Sequence, residues 1–229
     1  MSFMKNITIV AFVTLASLAP AFAASSRSDA AKRSRRANQV FEEVMQTPDQ
    51  GIPKEILEGA QCVAIVPGQK KFAMGFGGTY GKGVATCRNR GTWSAPIFIQ
   101  VGGGSWGLQL GGQSTDVIMV FRTQEGLTKL LADKVKLGVG LSAAAGPVGR
   151  QASASTDASL HAEILTYSRS RGLFAGVSLN GDMVQPDDSG NRAMYGDKGW
   201  RNILAGHATP TASGRPLLAS LGRYSAEPR

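Results

Sequence analysis

The sequence predicts an α+β fold: a glycine-rich, mainly antiparallel β domain with a basic N-terminal helix and short peripheral helices. Three observations support this. Apolar residues before residue 50 recur at helical spacing, strand-like runs broken by glycine begin after residue 60, and 29 of the 229 residues are glycine. With 42% hydrophobic and 18% charged residues, the chain has the composition of a folded domain. Its net charge of +9 favours an anionic partner.

The first 23 residues have the pattern of a signal peptide. Lys5 precedes an apolar run over 7–19, and Ala21-Phe22-Ala23 forms a small-residue cleavage site. The run of about 13 residues is shorter than the roughly 20 that a membrane-spanning helix needs. We therefore expect an exported, periplasmic protein that associates with the membrane only at its surface. The alternative is that this segment stays uncleaved and serves as a membrane anchor.

Residues 24–50 are predicted to form a basic amphipathic helix, with helical spacing over 25–46. The N-terminal half of this helix carries five cations beside an apolar stripe, which suits the surface of an anionic membrane. A solvated face or a linker would have the same composition. The apolar residues are Ala30, Ser34, Ala37, Phe41, Val44 and Met45, and the cations are Arg27, Lys32, Arg33, Arg35 and Arg36.

The remaining chain is divided into a domain over 51–207 and a flexible tail over 208–229. Short helices are predicted at 53–57 and 198–205, and a longer helix at 124–134. Turn signals at 67–68, 89–91 and 186–190 separate the β segments. The predicted strands cover 61–66, 71–80, 82–88, 96–101, 105–110, 115–121, 137–145, 162–168 and 173–179.

The two cysteines, Cys62 and Cys87, lie in segments that are expected to pair as neighbouring strands. An exported protein meets conditions that permit disulfides, so a bridge between them is possible. Two buried free thiols are the alternative. A zinc site is disfavoured, because the cysteines lack two histidines at ligand spacing.

The glycine motifs do not indicate a nucleotide site. Gly102, Gly104 and Gly107 match G-x-G-x-x-G, but no βαβ unit surrounds them, so we expect these glycines where the β backbone bends or passes another closely. The segment 75–83 lacks the P-loop spacing. An anion-binding turn beside Lys82 and a simple β-bulge are both compatible with it.

Catalytic patterns are weak. His161 and His207 are the only histidines, and no serine or cysteine nucleophile has the local context that acyl-transfer chemistry requires. We expect no enzyme, no metal and no cofactor. Export also argues against nucleic acid as a partner.

Several segments together resemble one family. These are 60–67 (AQCVAIVP), the glycine segment 71–83, 93–96 (WSAP), 102–116 (GGGSWGLQLGGQSTD), 137–150, 167–179 (YSRSRGLFAGVSL), 191–196 (NRAMYG) and 203–206. In order and spacing they are similar to the SYLF domain, a lipid-binding family. The resemblance implies a non-enzymatic lipid-binding module; eukaryotic members bind phosphoinositides with the help of a basic N-terminal segment, and some bind actin. Lys32, Arg33, Arg35 and Arg36 match that basic segment in kind.

The sequence thus predicts an exported protein that binds anionic phospholipid head groups. The proposed contacts are the cations Lys32, Arg33, Arg35, Arg36, Lys70, Lys71 and Lys82, with Phe41 entering the interface. The alternative is a protein-interaction or structural module of the cell envelope with an unidentified protein partner.

Overall fold

The computed structural model describes residues 19–47, 51–132, 136–137, 141–148, 162–170, 173–176 and 181–226. Side chains are described for these residues except at 19–25, 72–76, 105–112 and 173–176. Of the predicted signal peptide, residues 1–18 lie outside the described residues. The first described helix is Ala19–Met45, so the expected cleavage point after Ala23 falls within it.

The described elements confirm the α+β class. The α-helices are α1 (Ala19–Met45), α2 (Lys54–Glu58), α3 (Gln124–Ala132), α4 (Asp188–Tyr195), α5 (Trp200–Asn202) and α6 (Arg215–Tyr224), and a π-helical segment, Ile203–His207, follows α5. The strands are β1 (Cys62–Asn89), β2 (Thr92–Trp93), β3 (Ile97–Phe121), β4 (Ala143–Ala145), β5 (Ile164–Ser170), β6 (Leu173–Gly176) and β7 (Met183–Pro186).

A long antiparallel ribbon of β1 and β3 organises the fold. Its register runs from Cys62 opposite Phe121 to Ala85 opposite Ile97. At about 3.3 Å per residue, a straight β1 would be roughly 90 Å long. The Cα atoms of Cys62 and Cys87 are nevertheless 4.0 Å apart. The ribbon therefore bends back until the two ends of β1 meet.

Two features make this bend possible. The pairing shifts register between Val66 and Gln69 and between Ala73 and Gly75, as β-bulges do. Where β1 passes its own beginning, a Cβ atom at Gly81 would lie 2.6 Å from Cγ1 of Val66, and one at Gly83 would collide with the carbonyl of Ile65. Only glycine allows the backbone to pass so closely there.

The ribbon also corrects the predicted strand boundaries. The six strands predicted between 61 and 121 are two continuous strands, and the turn predicted at Pro67-Gly68 is a bulge within β1. Gly68 has a φ of +59°, and its N–H donates to Oδ1 of Asp116 at 2.8 Å.

The remaining strands extend both halves of β3. Asp116–Phe121 pairs with β5, while 99–102 pairs with β7. Strand β5 also pairs with β6 and, in parallel, with β4. This arrangement brings β7, and with it the start of α4, next to the beginning of β3.

The sheet carries a hydrophobic core on each face. One face, with residues such as Cys62, Ile99 and Phe121, packs against α3. The other face, with Ile65, Phe98 and Tyr167 among others, lies under α1 and α6.

Two predictions in the C-terminal region are wrong. The polar turn predicted at 186–190 is the start of α4, with Asp187 as its N-cap. The segment 208–229, predicted as a flexible tail, contains α6, which buries Leu217 and Leu221 against the core under α1. Their spacing of four residues forms an apolar stripe too short to stand out within a segment rich in Pro, Gly and Arg.

The structure settles the alternatives for the cysteines, because Cys62 and Cys87 form a disulfide. They lie at the two ends of the same strand rather than on two neighbouring strands. The bond closes a 25-residue separation and fixes the point at which the ribbon returns to its start.

Replacing both cysteines by alanine should lower the free energy of unfolding by about 3 kcal/mol, since the unfolded chain regains the freedom of an open loop. Urea unfolding of the oxidised wild type and the double variant measures this. The reduced wild type is the control, because it keeps both sulfur atoms in the core. Equal urea midpoints for the oxidised and reduced wild type would contradict the prediction.

Candidate functional site

Helix α1 is held by an apolar stripe that faces the sheet. Ala30, Ser34, Ala37, Phe41 and Val44 recur at intervals of three or four residues, and all five are fully buried. The Phe41 and Tyr224 rings form a T-shaped pair, with 5.8 Å between ring centroids. The prediction that Phe41 enters a lipid interface is therefore wrong, because the ring is part of the protein core.

The outward face of α1 carries cations. At 100° per residue, Lys32, Arg35 and Arg36 lie opposite the buried stripe, and all three are exposed. The side chains of Lys32 and Arg36 are 69% and 50% exposed. Their nearest acids are equally open to solvent: Nζ of Lys32 lies 4.0 Å from Asp29, and Nη1 of Arg36 lies 3.8 Å from Glu43. Ion pairs this exposed contribute little, so these cations can exchange partners.

Arg33 differs from its neighbours, since it points towards the sheet. Its side chain is 11% exposed, and Nη1 donates to Oδ2 of Asp187 at 2.7 Å. The guanidinium also lies 5.4 Å from the centroid of the Phe98 ring. Arg33 thus anchors α1 and is not available as a free head-group contact.

Asp187 is the centre of this anchor. As the N-cap of α4 it accepts hydrogen bonds from the Ser189 hydroxyl at 2.6 Å and the Gly190 N–H at 3.2 Å. Lys82 of β1 adds a second cation at 3.4 Å. Burial alone would raise the pKa of Asp187, but the hydrogen bonds from Ser189, Arg33 and Gly190 and the charge of Arg33 lower it from 3.8 to about 2.

A cleft of about 310 Å³ opens above this anchor. Its lining comes from α1, from Lys82 of β1 and from the start of α4. Two exposed lysine ammonium groups and the N-terminal end of α4 favour a negatively charged group there, while Asp29 and Asp187 oppose it. The lining residues are Ser26, Asp29, Lys32, Arg33, Lys82, Ser189 and Gly190.

A second group of ion pairs holds the other end of α1; we call it and the anchor at Asp187 the two clasps. Arg169 of β5 donates to Oδ2 of Asp116 at 2.7 Å and also pairs with Glu43 of α1. Burial would lower the pKa of the Arg169 guanidinium, but its bonds to Asp116 and Glu43 outweigh this and raise it. These two clasps fix α1 on the sheet, so its cationic face has a fixed direction.

Lys70 and Lys71 are exposed but lie on opposite faces of the ribbon. Lys70 pairs with Ser114, two residues from Asp116, and so lies on the face that α1 covers. Lys71 pairs with Gln113, whose amide reaches Ser170 on the far face. The predicted cations are thus divided. Lys32, Arg35 and Arg36 form one surface, and Arg33 and Lys82 meet at Asp187. Lys70 is exposed on the α1 side of the ribbon, and Lys71 lies on the far face.

The described residues offer little support for catalysis. His161 lies outside them, and His207 is exposed at the rim of a separate cleft of about 430 Å³. Over the described segments, no three His, Cys, Asp or Glu side chains are grouped to hold a metal ion. In the same part of the chain, no helix combines the length and apolar character needed to cross a bilayer.

Asp187, Glu43 and Arg169 are the site residues that sequence reasoning missed. The sequence predicts a turn at Asp187. Asp is nevertheless one of the preferred residues at the N-cap of a helix, where its side chain accepts a hydrogen bond from a backbone N–H of the first turn. No local pattern could have found the pair of Glu43 and Arg169, which are far apart in the sequence.

Asp187→Asn should destabilise the protein by about 3 kcal/mol at pH 7, because it leaves the guanidinium of Arg33 buried without a carboxylate. Urea unfolding measures the loss. Asp188→Asn is the matched control, since this exposed neighbour makes the same change in net charge. Equal effects of the two variants would contradict the anchoring role.

The contribution of Asp187 should depend on pH. Because its pKa falls from 3.8 to about 2 on folding, the stabilisation is present in full above 3.8 and is lost as the pH falls through about 2. The difference in unfolding free energy between the wild type and Asp187→Asn should therefore shrink between pH 4 and pH 2. A difference that stays constant over this window would contradict the assignment.

The chain is similar in sequence to a known protein family and to proteins of yeast. The family model described as "Ysc84: Las17-binding protein actin regulator" matches residues 102–224, more than half of the chain. LAS seventeen-binding protein 3 of Saccharomyces cerevisiae is 36% identical over 191 residues, 81% of this chain and 40% of the yeast protein.

Animal relatives match as well. SH3 domain-containing YSC84-like protein 1 is 31% identical over 209 residues in Bos taurus, 88% of this chain and 60% of the bovine protein. The human protein of that name is 32% identical over 178 residues, 75% of this chain and 51% of its own length. The chain thus spans 40% to 60% of the length of these relatives. With the glycine-rich ribbon, the sheet and the C-terminal helices all inside the matched regions, the chain belongs to the Ysc84 family, the SYLF-domain family that its sequence resembles.

Proposed function

We propose that this chain is a non-enzymatic module that binds the surface of membranes rich in anionic phospholipids. The observation that carries the proposal is the outward face of α1. Lys32, Arg35 and Arg36 are exposed there side by side, on a helix whose direction is fixed by the buried pair of Arg33 with Asp187 and the half-buried pair of Arg169 with Glu43.

The binding is electrostatic rather than insertional. The apolar stripe of α1 is buried in the domain core, so the helix has no apolar face left to enter a bilayer. Each Lys or Arg near an anionic surface contributes about 1 kcal/mol, so three cations supply about 3 kcal/mol, and salt weakens this attraction. A small anionic head group that reaches the adjoining cleft meets Lys82 as a fourth cation.

The compartment we propose is the periplasm, with the protein peripheral on the membrane. The signal-peptide pattern of residues 1–23 supports export. The disulfide between Cys62 and Cys87 is also typical of a protein that folds under oxidising conditions.

A protein partner is the second candidate. The family model is described as a Las17-binding protein actin regulator, and the yeast relative is named for binding LAS seventeen. If the function of this chain is of the same kind, the outward face of α1 is a surface for an acidic segment of a partner protein.

The triple variant Lys32→Gln, Arg35→Gln, Arg36→Gln tests the lipid proposal. We expect its affinity for phosphatidylglycerol vesicles to fall on the order of 100-fold, the equivalent of about 3 kcal/mol. Vesicle co-sedimentation at several salt concentrations measures this. Phosphatidylcholine vesicles should bind neither protein.

The control is a second triple variant, Arg90→Gln, Lys198→Gln, Arg201→Gln. It removes the same charge from exposed positions near the other cleft. Equal losses in both variants would show that net charge, not the α1 face, drives binding. If the wild type does not bind anionic vesicles but forms a stoichiometric complex with a protein, the result would favour the protein-partner function.

A further inference from the structure

Tyr80 is the one large hydrophobic side chain that is exposed among the residues whose side chains the structure describes, at 51%. It lies on β1 two residues before Lys82, so the two side chains share one face of the ribbon. That face is the one covered by α1 further along the strand, since Lys82 reaches Asp187 beneath α1.

Three of the neighbours of Tyr80 on this face are glycines, while Lys82 and its cross-strand partner Gln100 lie on the other side of the ring. The cross-strand partner of Tyr80 is Gly102, and the next pair outward is Gly78 with Gly104. A Cβ atom at Gly78 or Gly102 would have its nearest neighbour at 3.9 or 3.8 Å, and one at Gly104 would have none within 4 Å. Packing within the domain therefore does not require glycine at these three positions.

The opposite face of the same ribbon differs. There a Cβ at Gly81 would overlap Val66, and a Cβ at Gly83 or Gly103 would collide with Ile65 or Asp182. On that face glycine is a requirement of the fold. On the outer face its effect is different: it leaves that side of the Tyr80 ring unshielded and places no charged or long polar side chain there.

Cations border this uncharged patch on one side. Lys82 lies about 7 Å along the strand from Tyr80. It shares Asp187 with Arg33, whose sequence neighbour Lys32 is on the outward face of α1. An aromatic ring with a polar tip, flanked by bare backbone on one side and bordered by lysines on the other, matches the chemistry of an anionic membrane interface.

We propose that the glycine face, defined by Gly78, Tyr80, Gly102 and Gly104, rests on the bilayer, with the Tyr80 ring among the head groups. This inference rests on the proposed lipid function and adds the contact that α1 cannot make. Entry of the ring costs little desolvation, because its glycine neighbours bring no side-chain polar group with them.

Two matched pairs of variants test the contact by co-sedimentation with phosphatidylglycerol vesicles. Tyr80→Ser should bind roughly tenfold more weakly, while Tyr80→Phe, which keeps the ring, should bind like the wild type. Gly104→Glu places a carboxylate in the patch and should weaken binding, while Gly104→Gln has the same size without the charge. The open space at Gly104 allows either side chain without disturbing the fold.

A fluorescent reporter locates the contact directly. The native cysteines are bonded to each other, so Tyr80→Cys labelled with an environment-sensitive dye carries a single probe. Its emission should shift to the blue on phosphatidylglycerol vesicles. The same dye at Thr92→Cys, an exposed position in the β1–β2 region, should not respond.

An unchanged emission at position 80 while the wild type still co-sediments would overturn this inference and leave the proposed function standing. Equal responses at positions 80 and 92, or equal binding by Tyr80→Ser and the wild type, would overturn it too. Failure of the wild type to bind anionic vesicles at all would instead overturn the proposed function itself.

Discussion

The position of the candidate site depends on one buried carboxylate. Asp187 caps α4, accepts the guanidinium of Arg33 from α1 and lies against Lys82 of β1. It thereby joins the end of β7, the basic helix and the bent ribbon at one point. Because a buried carboxylate needs these donors as much as they need it, the four elements cannot shift independently. The direction in which Lys32, Arg35 and Arg36 face solvent follows from this contact.

The bent ribbon is the second constraint, and it explains the glycine content. Gly81, Gly83 and Gly103 allow backbone segments to pass at distances that any side chain would prevent. The sequence predicted bends or close backbone approach at Gly102, Gly104 and Gly107. Gly102 and Gly104 do not follow the prediction, because the space around them is open. The same run of glycines therefore serves packing on one face and exposure on the other.

Local periodicity was enough to predict the α+β class, helices α1, α2 and α3, and the strand segments between 61 and 121, but not β7. Local periodicity failed to predict contacts between residues that are far apart in the sequence. Nothing near Cys62 shows that β1 returns to its own start, so the pairing of its ends could not be derived from spacing. The pair of Arg169 and Glu43 likewise depends on tertiary structure. For the site, the sequence identified the cations of α1 but could not separate Arg33, which anchors, from Lys32, Arg35 and Arg36, which are exposed.

An amphipathic basic helix has two uses for its apolar face, and they exclude each other. In α1 the face packs on the sheet, with Phe41 and Val44 fully buried. Releasing it to insert into a bilayer would expose that core and break the clasps at Asp187 and Arg169, whereas three exposed cations at about 1 kcal/mol each supply only about 3 kcal/mol. Attraction of that size can hold a folded domain at a surface, but it cannot pull the helix out of the core. Any apolar contact with lipid must therefore come from another part of the same side of the molecule, and the described residues provide one exposed aromatic ring, Tyr80, for that contact.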